Sequence, residues 1–185
     1  IRLPLLKGLM GWRIPIIHNR QKDIMHNLSL NDFKGLKAGT LHNWSDTKIL
    51  ESNGITVEKV GVYQGLFGML GKNRFDYLPL SVLEVDREFE KHKNRYISIE
   101  THSLIHYPTA YYFYVNKNNT ELAEDIRLGL EKSFIDGSFD RIFNKYHGDT
   151  IKYLKSEERS VYHLENPFLP TTAPLQRKDL WINIH

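Results

Sequence analysis

Between Leu36 and Glu100 the chain repeats one order: a short apolar run, a turn, a helical pattern, then a glycine or polar stop. "LKAGT" (Leu36 to Thr40) reads as a strand ending at Gly39. "SDTKILESNG" follows as a helix, with Ser45 as its N-cap and Gly54 at its C-terminal stop. "ITVEKV" (Ile55 to Val60) alternates as a strand does, and "YQGLFGMLGKN" is helical in pattern despite its glycines. "FDYLPL" (Phe75 to Leu80) is a strand, "SVLEVDREFEKH" a helix, and "YISIE" (Tyr96 to Glu100) a strand again. Strands alternating with helices predict an α/β fold with a largely parallel sheet.

Upstream, "WRIPIIH" (Trp12 to His18) is a short apolar strand. Pro15 removes a ladder donor, which predicts an edge or crossing strand. Ser29 caps a short turn, "LNDF", before Gly35. Downstream, Tyr111 to Val115 is continuously apolar, the pattern of a strand buried on both faces. Leu122, Ile126, Leu130 and Phe134 recur every fourth residue as one helix stripe. Gly137 suits a left-handed stop, Ser138 can cap the next helix, and that helix shares Phe139, Ile142, Phe143 and Tyr146 on one face up to Gly148. Beyond it the tail is charged, then proline-bearing ("NPFLPTTAPL"), and is expected to wrap over a domain surface.

Composition narrows the class. Of 185 residues, 41% are hydrophobic and 25% charged, as in a soluble globular protein. No apolar run is long enough to span a bilayer. The formal charge is +3, and basic residues alternate with acidic ones, as in "EVDREFEKHKNR". That is a solvated helix face, not a phosphate-binding stripe, so no nucleic-acid partner is expected. There is no cysteine, which removes disulfides and cysteine-based metal sites.

Catalytic motifs are missing: there is no G-x-S-x-G, P-loop or H-E-x-x-H. His102 and His106 are four apart but lie beside Tyr107-Pro108 in a region read as loop, so no metal is assigned to them. Glu157-Glu158 sits in a charged run and reads as solvated surface. No catalytic residue and no cofactor are expected.

"YYFYVNKNNTELAEDIRLGLEKSFIDGSFDRIFNKYHG" (Tyr111 to Gly148) resembles the closing segment of the bilobed solute-binding proteins of amino-acid ABC importers, the family 3-like type II periplasmic binding proteins. "RIPIIH", "LKAGTLHNW" and "YQGLFGMLGKNRFDYLPL" fall in that family's order, and "NPFLPTTAPLQRKDLW" resembles the tail of a transporter-like bacterial subgroup. The resemblance implies a periplasmic binding protein-like II fold: two α/β lobes joined by crossing strands, with the ligand in the cleft. Residues 1–18 would hold the end of the first lobe-1 segment and the outgoing strand. Residues 19–108 would form lobe 2. Residues 109–185 would supply the return strand, the C-terminal helices of lobe 1 and the tail. Only "IRLPLLKGLM" precedes the first crossing, so lobe 1 is expected to be incomplete and the chain a fragment of a longer or processed protein. A second copy, as a homo-oligomer or swapped dimer, could cover the apolar surface this leaves.

The resemblance also implies a role: extracytoplasmic capture of a small polar solute, an amino acid or similar, and its delivery to the membrane permease of an ABC transporter from the periplasm. No enzyme activity is expected. A sensory or orphan ligand-binding domain, or a small enzyme on the same fold, are the alternatives. The candidate ligand residues are Arg2, Thr40, His42, Trp44, Ser81 and Glu84. Thr40, His42, Trp44 and Asp46 lie between a strand end and a helix start, where open α/β sheets bind ligands. The family uses this loop for the ligand's carboxylate and amino groups. Near Ser81 many family members carry an acidic partner for the ligand's ammonium, and Ser81 carries no charge. Ser81 with Glu84 also reads as a capping box. Arg2 corresponds to the arginine that forks the ligand carboxylate in the family.

Overall fold

Strand β1 (Trp12–His18) is buried at every position and lies inside the sheet. The computed structural model describes residues 1–156 and 158–184; Glu157, assigned above to the solvated charged run, lies outside them. After β1 come α1 (Leu30–Lys34), β2 (Ala38–Leu41), α2 (Ser45–Ser52), β3 (Val57–Val60), α3 (Tyr63–Leu70), β4 (Tyr77–Ser81), α4 (Val85–His92), β5 (Ile97–Ile99) and β6 (Ser103–His106). Then follow α5 (Thr120–Ile135), α6 (Ser138–Ser156) and β7 (Ser160–His163). By internal contacts the chain divides into two units. One comprises Ile1–Met10, Thr109–Glu157 and Leu169–His185; the other comprises Gly11–Pro108 and Glu158–Phe168.

The second unit carries the sheet, in the order β3-β2-β4-β1-β6-β7, with β5 also on β1. The expectation of a largely parallel sheet is corrected. β2 runs parallel to β3 and β4, and β6 parallel to β7, but β1 is antiparallel to β4, β5 and β6. The expectation of an edge strand at Pro15 is corrected as well, because β1 lies between β4 and β6. Pro15 faces Pro79 across the β1–β4 ladder. Its carbonyl points away from β4 and accepts from the Glu100 N–H at 2.9 Å. That pair therefore needs no N–H from either proline, and both fit inside the sheet.

Period-two alternation divides the burial between two faces. Ile17, Ala38, Tyr77, Ile105 and Tyr107 join Met25, Phe33, Ile49, Leu50 and Tyr162 in one core cluster. Phe33 stacks on Tyr162 at 4.0 Å, and the Tyr162 hydroxyl donates to the Met25 and Leu28 carbonyls at 3.3 Å. Ile14, Ile16, Leu78 and Leu80 fill the opposite face of β1 and β4. Ser29 caps α1, accepting from the Asp32 N–H at 3.1 Å. The strand β7 is not legible in the tail; its register with β6 is set by β6 alone.

Two helix starts differ from expectation. Trp44, not Ser45, is the N-cap residue of α2, and no side chain caps that terminus. Ser81 and Glu84 form no capping box. Ser81 is held in β4 opposite Arg13, so α4 begins only after the turn, where the Glu84 N–H bonds the Ser81 carbonyl at 2.8 Å.

The first unit departs further. Residues 111–115 are not a buried strand: Tyr111, Phe113 and Tyr114 are exposed. The Leu5 N–H bonds the Tyr111 carbonyl at 2.9 Å, and the Ile1 amino group bonds the Phe113 carbonyl at 3.0 Å. That is a local pairing without the covered faces a buried strand needs. The stripe of α5 buries no residue fully. α6 continues through Gly148 to Ser156, because Leu154 is buried and holds the added turns. Phe134, Phe139 and Phe143 stack in series, Lys7 pairs with Asp140 at 2.7 Å, and Arg177 forks Glu131 at 2.7 and 2.9 Å.

Two predictions follow from this packing. A Cβ at Gly39 would fall on the buried Phe75 ring. Gly39→Ala should lower stability by about 1–3 kcal/mol, read as a fall in the urea midpoint. His92 lies flat on Phe67 at 3.8 Å. Burial lowers its pKa, with Glu88 opposing and Arg95 and Lys91 assisting. The unfolded chain therefore takes up this proton first, so the stability His92 contributes is present above about pH 6.5 and lost as pH falls below it. His92→Phe should flatten that limb of the stability curve relative to the parent protein.

Candidate ligand-binding site

The carboxyl end of β2 leads into the loop 42–44 and then α2, the arrangement in which α/β sheets leave a crevice open. Thr40 is fully buried and faces inward: its hydroxyl lies 2.6 Å from that of Thr47, which donates to the Leu41 carbonyl at 2.7 Å. The His42 N–H bonds the Val60 carbonyl at 3.1 Å, and its Nδ1 lies 3.4 Å from the same oxygen. These bonds fix the loop backbone while its side chains project outward. His42, Asn43, Trp44, Ser45, Lys48 and Phe168 line a concave space of about 530 Å³. The α2 terminus that opens there has no side-chain cap, and uncapped N–H groups favour an anion.

Beneath the loop sits a buried charge network that the sequence reading did not find. Arg13, 7% exposed, pairs with Asp46 at 2.8 Å. The Tyr107 hydroxyl donates to the same carboxylate oxygen, and the guanidinium lies 5.4 Å from the centre of the Tyr107 ring. Burial works against the Arg13 charge, but Tyr107, Asp46 and Glu84 outweigh it and hold its pKa above the ordinary arginine value. Burial likewise pushes the Tyr107 hydroxyl well up, against the pull of Arg13. Asp46 lies in the first turn of α2 and anchors it. Arg13 and Tyr107 left no local signal, since Tyr107 and Asp46 are 61 residues apart.

The remaining candidates separate. Ser81 is fully buried, opposite Arg13 in the ladder, and its Oγ accepts from the Leu83 N–H at 3.3 Å. Glu84 is half-buried within electrostatic reach of Arg13 and Tyr63. Trp44 is half-buried, with its ring centroid 6.0 Å from that of Tyr63. Tyr63 in turn hydrogen-bonds Glu88, and burial with this bond raises its pKa. Burial opposes the Glu88 charge, but bonds from Lys91, Tyr63 and Arg87 prevail and lower its pKa. Arg2 is exposed in the other unit, where its charge acts on Tyr112. The structure thus places His42 and Trp44 on one loop and the buried Thr40 in the strand that leads into it, with Ser81 and Glu84 at the neighbouring strand end. Among the described residues no helix is long and apolar enough to cross a membrane.

No protein-family model and no curated protein matches the chain. Solved structures do. An ancestral arginine-binding protein bound to glutamine is 23% identical, with a TM-score of 0.51 over 78% of this chain and 62% of that one. The GluR0 ligand-binding core in complex with L-glutamate is 12% identical, with a TM-score of 0.51 over 73% of this chain and 58% of that one. A structure described as a binding component of an ABC transporter from Wolinella succinogenes, complexed with lysine, is 11% identical, with a TM-score of 0.50 over 78% of this chain and 60% of that one. The chain therefore spans about three fifths of the length of the structures it matches. Its fold is the periplasmic binding protein-like II fold.

Removing one partner of a buried pair strands the other charge. Asp46→Asn should cost about 3–5 kcal/mol in urea unfolding. The double change Arg13→Met with Asp46→Leu should recover most of that loss, because no buried charge is left alone.

Proposed function

We propose that the protein is an extracytoplasmic solute receptor that captures a small polar solute, an amino acid or similar, and hands it to the permease of an ABC importer from the periplasm. The observation that carries this reading is the loop of His42 and Trp44. It lies at the carboxyl end of a parallel strand, beside an uncapped helix terminus, over a concave space lined also by Lys48 and Phe168. An uncapped terminus with Lys48 nearby suits a carboxylate, and Trp44 and Phe168 suit an apolar solute body. Glutamine, L-glutamate and lysine in the matched structures support the same solute class. His42 and Trp44 make direct contact in this reading. Thr40 and Ser81, whose hydroxyls are held internally, fix the strand ends on which the solute rests. Glu84 offers a carboxylate for an ammonium, and Arg2 is the candidate for the carboxylate contact that the resemblance implies.

The test is thermal unfolding of the complete protein against amino acids, short peptides and organic acids. A true ligand at a hundred times its dissociation constant stabilises by about 2.7 kcal/mol. Trp44→Ala and His42→Ala should each reduce the shift for the active class, read against each variant's own unliganded midpoint, because Trp44 also lies against Tyr63 and His42 against the Val60 carbonyl. Arg2→Ala tests the carboxylate contact separately. A folded protein that responds to no compound would overturn the receptor reading.

A further inference from the structure

His106 and His163 are 57 residues apart in the chain and side by side in the fold, as register partners on the parallel strands β6 and β7. Their Nδ1 atoms are 3.4 Å apart, and their rings meet nearly edge to face at 83°. On the other side of β6, Trp12 is the register partner of His106 and stacks on it at 4.2 Å. The Trp12 ring stands edge-on to His163 at 6.5 Å. Backbone pairing fixes where the two imidazoles start, and the indole limits how the first can turn.

That separation has a chemical meaning. Two imidazole nitrogens on one tetrahedral zinc ion, each bound at about 2.0–2.1 Å, stand roughly 3.4 Å apart. We propose that His106 and His163 form a two-histidine site for a borderline divalent cation, Zn²⁺ first, with Cu²⁺ and Ni²⁺ as competitors of the same ligand preference. In the pair as it stands, the two Nδ1 atoms are within hydrogen-bond reach of each other. Binding through both Nδ1 atoms requires each ring to carry its proton on Nε2, so that both Nδ1 lone pairs face the ion. Among the described residues no third histidine, cysteine, aspartate or glutamate completes a cluster. The remaining coordination positions are therefore open to water or to a chelating solute. The site involves none of the six candidate solute contacts, and the proposal stands independently of the receptor reading.

Zinc titration calorimetry of the complete protein, with Mg²⁺ as the hard-cation control, tests this. We expect saturable one-to-one Zn²⁺ binding and none for Mg²⁺. His106→Ala and His163→Ala should each weaken it roughly tenfold or more. His163 is exposed, so its variant keeps the test valid if His106→Ala unfolds. Cu²⁺ should quench the indole stacked on His106, and Trp12→Phe should remove that component of the quenching. A second histidine pair is the built-in rival: His26 and His102 lie 4.6 Å apart, with Asp23 3.7 Å from His102. His102→Ala should leave Zn²⁺ binding unchanged. No saturable binding, binding that survives His163→Ala, or binding lost on His102→Ala would each overturn the proposal.

Discussion

The buried pair of Arg13 and Asp46, completed by the Tyr107 hydroxyl, ties together the start of β1, the start of α2 and the residue after β6. A charged pair out of water is no cheap source of stability, because desolvation offsets most of the attraction. Its value is in position. Asp46 lies in the first turn of α2, so the pair fixes where the loop of His42 and Trp44 must end. The Thr40–Thr47 contact and the bond from the His42 N–H to the Val60 carbonyl fix where it begins. A loop backbone held at both ends has little freedom left to lose on ordering.

The legible parts of the fold were those whose signal is local. Each of β2, β3, β4 and β5 lies within or near a run that alternates or is apolar, and α2 and α3 are followed by Gly54 and Gly71. Strand direction was not legible, since β1 looks the same whether it runs with or against β4. Pro15 misled for a related reason: a missing N–H matters only if the ladder needs one there, and that depends on pairing register. Apolar content misled at residues 111–115. The run has the composition of a doubly buried strand, but burial is a property of what covers it, and here Tyr111, Phe113 and Tyr114 are exposed.

The site was legible in outline only. The loop His42–Trp44 could be placed because a strand end followed by a helix start is a sequence pattern. The orientation of Thr40 could not, since inward and outward positions alternate and one residue of register decides between them. Arg13, Tyr107 and the β7 partner of β6 lay beyond reach for one shared reason. Their contacts close loops of tens of residues, and nothing in the neighbouring sequence records them.

The same alternation separates the two chemistries at this end of the sheet. Arg13 and Tyr107 point to the face that carries α2, where their charge and hydroxyl are spent on Asp46. Trp12 and His106 are their immediate neighbours in sequence, so their side chains leave by the opposite face, joined there by His163. At this row the two sets of side chains lie on opposite faces of β1 and β6. A change in protonation or ligation at the histidine pair therefore reaches the α2 loop only through the backbone of β1 and β6. Those segments are fixed by the ladder of β4 on one side and those of β5 and β7 on the other. Packed ladders resist small displacements, so the two faces should titrate and bind as separate systems, with effects at distant, unshared positions adding.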